Sequence, residues 1–224
     1  MRHLRKVFDK LCPEAGGRPP REGGGKVSDA TRAEAREVDT RTRIITTADR
    51  LYRQIGFQKT TVADIARELG MSPANVYRFF RSKDEINEAV GRQLLGEVLA
   101  AGLEIAGRDG PAAERLHALF TTVERMNTER FTVEKKLHDL VALALTENWQ
   151  IVFDYVERMD EVIARIIADG MNRGEFRAGD PARAARCLHT AMIRYSHPRL
   201  MVECADFEDP KVPQMIEFLV GALR

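Results

Sequence analysis

TTVADIARELGMSPANVYRFFRSKDEI, residues 60–86, holds three helix starts in close succession, each with its own chemistry. Thr61 is followed three residues on by Asp64, so a hydroxyl and a carboxylate can each satisfy an orphan N–H at a helix start. Val62, Ile65, Ala66 and Leu69 then recur at helical spacing as one apolar face. Gly70 ends that helix, because glycine enters the left-handed region without steric cost. Ser72-Pro73 opens the next, with a capping hydroxyl ahead of a proline placed where no N–H is missed. Ser82-Lys83-Asp84-Glu85 reads as a further capping box.

Only Leu69–Ser72 separate the first two apolar faces, so those helices must cross steeply. That is a helix-turn-helix, whose second helix can lie in a DNA major groove. Val76, Phe79 and Phe80 are its packing residues, and Pro73, Ala74, Asn75, Tyr77 and Arg78 point elsewhere.

These residues resemble a known family. A threonine-led helix, Ile65-Ala66, Gly70-Met71-Ser72 and the run from Val76 to Glu85 are similar to the DNA-binding signature of TetR-type repressors. The aromatic pair followed by Ser-Lys-Asp-Glu makes the match specific. The resemblance implies that the helix starting at Ser72 enters the major groove and meets base edges with its exposed residues, and that Ser72, Pro73, Ala74 and Asn75 are among the residues that contact DNA. Asn75 has the bidentate end suited to adenine. Tyr77 and Lys83 fall at family positions that hold phosphate, Thr60 and Thr61 can reach the DNA backbone, and Arg78 reads guanine or sits against phosphate. The implied partners are a double-stranded operator with an inverted repeat, a second copy of the chain and a small-molecule effector. In the family the last two helices pair across a two-fold axis.

Charge and composition agree with such partners. The net charge of +1 divides into +6 over residues 1–92 and −5 over residues 93–224, so the basic half carries the helix-turn-helix. A hydrophobic content of 44% suffices for a substantial core, and no apolar run is long enough for a membrane span. The N-terminus lacks a signal-peptide pattern, and the three scattered cysteines fit a reduced cytoplasm rather than a disulfide framework or a metal site. The expected location is therefore cytoplasmic, with no cofactor and no metal.

The remaining chain reads as all-α, since no segment alternates with strand periodicity. Residues 1–40 form a basic extension with a Pro/Gly-rich linker at 13–25, and Ser28–Val38 is helix-compatible but strongly charged. A firmer helix runs from Thr40 or Arg41 to Gln54, which makes 41–92 the DNA-binding domain and 93–224 a helical effector-binding and dimerisation domain. Helices are expected at Lys83–Ala106, Pro111–Asn127, Thr132–Glu147, Asn148–Asn172, Pro181–Tyr195 and Val212–Leu223, with 196–213 irregular.

In that domain Phe120, Met126, Phe131, Leu140, Trp149 and Phe153 are the candidate lining of a ligand pocket, with no arginine or lysine interleaved apart from Lys135 and Lys136. An unpaired buried charge is costly, so the expected effector is apolar and carries no strong negative charge. Enzymatic motifs are absent: no GxSxG, HExxH, phosphate-binding glycine loop or paired-cysteine motif occurs. The alternative to a ligand-released repressor is a DNA-binding regulator of the same fold without an effector, or an activator.

Overall fold

The computed structural model describes residues 29–130, 140, 143–144, 147 and 150–224, and residues 37–224 form one compact unit. The described residues are helical with no strand. The helices are α1 (Asp29–Ile55), α2 (Val62–Glu68), α3 (Pro73–Tyr77), α4 (Lys83–Ala106) and α5 (Ala112–Thr128), then α6 (Gln150–Asn172), α7 (Pro181–Ala191), α8 (Ile193–Ser196), α9 (Pro198–Glu203) and α10 (Val212–Leu223).

Most boundaries follow local chemistry. Gly56 and Gly70 both take positive φ and close α1 and the α2 turn. Asp180 caps α7, its carboxylate accepting from Ala182 N and Arg183 N at 3.0 and 3.2 Å. Three expectations are corrected. α1 starts at Asp29, so the charged stretch before Thr40 joins the helix after it. α7 stops at Ala191, because Met192 leaves helical geometry and the chain restarts as α8. Residues 198–203, read as irregular, form α9, started by a proline at its first position. The basic extension and linker of residues 1–28 lie outside the described residues, as do most positions of the expected Thr132–Glu147 helix.

Two apolar cores meet along α4. Ile86, Val90 and Leu94 join Ile44, Tyr52, Phe57, Ile65, Val76 and Phe80 around the helix-turn-helix. Val98, Ile105 and Ala106 join a larger core built with Leu116, Leu119, Ile163, Ile166 and Leu188. α4, α5 and α6 pack on one another, with α7 against α6 and α10 against α5. Arg115 fastens this bundle from inside: it donates to Ala106 O at 3.1 Å and pairs with Asp169. That hydrogen bond from Arg115 holds the Asp169 carboxyl below its ordinary range.

Closest approach occurs at Gly170, where a Cβ would overlap the Phe176 ring and stand 2.7 Å from Ala112 Cβ. No helix among the described residues is long and apolar enough to cross a membrane.

Candidate nucleic-acid interface and adjoining cavity

The capping pattern forms as the spacing predicts. Thr61 Oγ1 accepts from Asp64 N at 3.1 Å, and the Asp64 carboxylate accepts from Thr61 N at 2.9 Å. Those bonds from Thr61, with Arg67 beside them, lower the Asp64 pKa. Ser72 Oγ accepts from Asn75 N at 3.2 Å. At α4, Ser82 Oγ accepts from Glu85 N at 3.2 Å, but Glu85 returns to Arg81 N at 2.6 Å instead of to Ser82. The third box is therefore shifted by one residue.

α3 has five residues, and of these Val76 is buried. Phe79 and Phe80 follow its end and anchor it, Phe80 within the core. A residue from α1 fixes its angle: Arg41 donates to Phe79 O, lies 4.3 Å from the Phe80 ring centroid and reaches Glu85 at 4.0 Å. Sequence reading missed Arg41, since 38 residues of chain separate it from Phe79.

The named residues then divide by exposure. Thr61, Ser72, Pro73, Ala74, Tyr77 and Arg78 are exposed, with Tyr77 at 50%. Arg81 and Lys59 are exposed beside them, and neither was singled out from sequence. Asn75 is half-buried, its amide 3.8 Å from Met71 Sδ.

Thr60 departs from the expectation of a DNA contact. It is 0% exposed and donates its hydroxyl to Gly56 O at 2.8 Å, closing the turn behind α2. Lys83 is partly turned inward too, donating to Phe57 O at 2.6 Å and Gln58 O at 3.4 Å. Burial, opposed by the Asp84 charge, lowers its pKa. An ammonium has three donors, so one remains for an outside acceptor.

Beneath this unit lies a cavity of about 280 Å³. Gly91, Leu94, Leu95 and Val98 of α4 form one wall, and Ile151, Val152, Tyr155 and Val156 of α6 form another. α7 to the start of α9 contributes His189, Thr190, Ile193, Ser196 and His197. Leu140 lines it as well.

Three of the other expected lining residues, Phe120, Met126 and Phe153, do not. Phe120 packs in the larger core, Met126 borders a separate polar groove with Arg53 and Arg125, and Phe153 is 54% exposed on the outer face of α6. The cause is helical phase: Phe153 is two residues from Ile151 and Tyr155, on the opposite face. Phe131 and Trp149 lie outside the described residues. The wall also carries Arg130, Asp160, Arg186 and His189, contrary to the expectation of a charge-free lining. Spacing had separated Asp160 from His189 by a loop, so the sequence carried no signal for their 2.6 Å contact. Among the described residues, no three His, Cys, Asp or Glu side chains gather as metal ligands.

Comparison with known proteins places this architecture. Residues 44–90 match the model of bacterial regulatory proteins of the tetR family, and residues 112–214 match the tetracyclin repressor-like C-terminal domain. The chain belongs to the TetR family of transcriptional regulators. Like other members, it is a DNA-binding transcriptional regulator and not an enzyme.

Relatives include the HTH-type transcriptional regulator YhgD of Bacillus subtilis, 26% identical over 66% of this chain and 78% of that protein. The HTH-type transcriptional repressor KstR2 of Rhodococcus jostii is 24% identical over 62% and 68%. Among solved structures, a TetR/AcrR-family regulator of Thermobifida fusca superimposes with a TM-score of 0.62 at 26% identity, covering 83% of this chain and 99% of its own.

Proposed function

We propose that the protein is a homodimeric repressor that grips an inverted-repeat operator and releases it when a small, largely apolar ligand fills the cavity beside α4. One observation carries this reading: a single helix serves both places. α4 begins at the Ser82 cap, gives Ile86 and Val90 to the core of the helix-turn-helix, and then gives Gly91, Leu94, Leu95 and Val98 to the cavity wall. A ligand that displaces α4 therefore moves the recognition unit with it, a rigid-body switch.

On DNA, α3 enters the major groove, with Pro73, Ala74, Asn75 and Arg78 toward base edges. Thr61, Ser72, Tyr77 and the third donor of Lys83 hold phosphate, and Lys59 and Arg81 add charge around them. Two such units joined as a dimer meet half-sites about one turn, ~34 Å, apart, and a change in their separation stops both α3 helices from seating together. α7 and α10 form the dimer contact, supported by Phe218 standing 73% exposed on α10. The site of action is the cytoplasm, where the operator is. The name of KstR2 as a repressor supports the sign of control.

The test is selection of bound duplexes from a random double-stranded pool. An enriched inverted repeat, lost when Tyr77 and Arg78 are both replaced by alanine, is the expected result. Enrichment of no repeat would refute the operator reading.

A further inference from the structure

Tyr155 stands on the inner face of α6. Ile151 and Met159, one helical turn before and after it, are buried at 4% and 2% exposure, and its ring packs against the larger core. Part of the Tyr155 surface nonetheless stays accessible, because the residue lines the cavity. Burial raises its pKa above the ordinary value of about 10, against the pull of Arg130, so the hydroxyl keeps its proton at neutral pH. Tyr155 therefore brings an O–H donor into a deep and largely apolar space.

Its neighbours leave that donor unanswered. Arg130 is the charged group beside it, and a guanidinium has no acceptor to offer. Arg130 is itself engaged, pairing with Glu97 and donating to Leu94 O at 2.9 Å. Other polar groups of the same wall also serve one another. Asp160 takes His189 Nδ1 at 2.6 Å and Arg186 Nη2 at 3.3 Å, and Asn127 donates to Ser196 O at 2.9 Å. Among the described residues, the polar atoms sealed from solvent without a partner are Arg115 Nε, Thr121 Oγ1 and His197 Nδ1. Tyr155 Oη has no partner among them either, yet it is not sealed, so it faces the space that its side chain lines. A deep hydroxyl without a partner is uncommon and costly, and one that opens on a cavity marks where a partner enters.

We propose that the effector presents an acceptor oxygen to Tyr155, which donates its hydroxyl to it, so that the ligand is an apolar molecule bearing a carbonyl, ester, ether or hydroxyl oxygen. The proposal rests on the reading of this cavity as the effector site. The apolar body lies along Leu94, Leu95, Val98 and Val152. The contact requires an acceptor and is indifferent to the charge on the rest of the ligand.

Two probes of one shape isolate the contact: 4-ethylacetophenone, and 1-ethyl-4-isopropenylbenzene, in which a methylene replaces the carbonyl oxygen. Binding of each to the full-length protein and to its Tyr155→Phe variant is measured by calorimetry. The expected result is that Tyr155→Phe weakens the ketone about 10-fold and leaves the alkene within about 2-fold. A merely structural role for Tyr155 would shift both probes alike.

Equal weakening of the two probes overturns the Tyr155 assignment and leaves the cavity reading intact. So does an unchanged ketone affinity, which would mean that water serves the hydroxyl. The cavity reading has its own control. Val152→Trp, or Leu95→Trp where the former fails to fold, fills the space and should abolish binding of both probes. Binding that persists in the filled protein, or no binding of either probe to the unaltered one, overturns both readings.

Discussion

Replacing Tyr52 by phenylalanine isolates the joint between α1 and α4. The Tyr52 hydroxyl donates to Asn87 Oδ1 at 2.6 Å, with Tyr52 at 0% and Asn87 at 1% exposure. Phenylalanine keeps the ring and its packing against Phe57, where the ring centroids are 6.3 Å apart, so the change removes the hydrogen bond alone. A typical buried hydrogen bond contributes about 1 kcal/mol net, but here the Asn87 acceptor is left buried without its partner, which raises the expected loss to about 1–3 kcal/mol. Denaturant unfolding followed by far-ultraviolet dichroism at fixed protein concentration reads this loss directly. Asn87→Leu should destabilise as well, and the double variant should lose less than the two single losses together, because no orphaned group remains. The pH dependence has a definite sign. Burial first, and then the Asp84 charge, raise the Tyr52 pKa above its ordinary value of about 10. The folded chain thus holds this proton more tightly than the unfolded one. Its contribution is whole below pH ~10 and is lost as the pH climbs beyond that. The stability gap between the unaltered protein and Tyr52→Phe should accordingly narrow above pH ~10. A loss below about 0.5 kcal/mol for Tyr52→Phe, or strict additivity in the double variant, would refute the reasoning.

Three other outcomes follow from the same geometry. Gly170→Ala should lower the melting temperature by several degrees, because overlap with Phe176 and Ala112 costs about 1–3 kcal/mol while the gain in helix propensity is at most about 1 kcal/mol; an unchanged midpoint would show that the ring moves freely. Phe218→Arg should give a folded monomer in sedimentation, since the side chain is exposed within one chain and costs its core nothing, and an intact dimer would move the contact elsewhere. Lys83→Ala should lower both thermal stability and the salt dependence of DNA binding, whereas Tyr77→Ala should lower only DNA affinity; equal thermal losses in the two would remove the distinction between a turn-closing lysine and an exposed phenol.

The helix-turn-helix was legible because its determinants are local. Thr61 and Asp64, Ser72 and Pro73, and Gly70 act within a turn of the residues they order, so spacing alone reveals them. What escaped was fixed by contacts across long stretches of chain. Thr60 looked like a residue at the mouth of α2, yet its hydroxyl serves Gly56 O. Arg41 carries no motif and acquires its role only when α1 lies beside the end of α3. The cavity was harder still. Choosing large side chains selected Phe120 for the core and Phe153 for solvent, because size says nothing about helical phase. Asp160 and His189, ordinary polar residues on different helices, are brought together by the packing of α6 against α7.

The brevity of α3 bears on how this protein can change over generations. A five-residue helix does not hold its own shape in water. Its form is imposed by the Ser72 cap, by Val76 beneath it and by the Phe79–Phe80 anchor that Arg41 clasps. The residues that face outward beyond the helix start, Ala74, Tyr77 and Arg78, therefore contribute little to folding, and a surface substitution there shifts stability by only about 0.5 kcal/mol. Mutation can rewrite which bases are read while the frame stays intact. A lineage carrying this scaffold is free to acquire new operators one exposed side chain at a time, without first having to repair its fold.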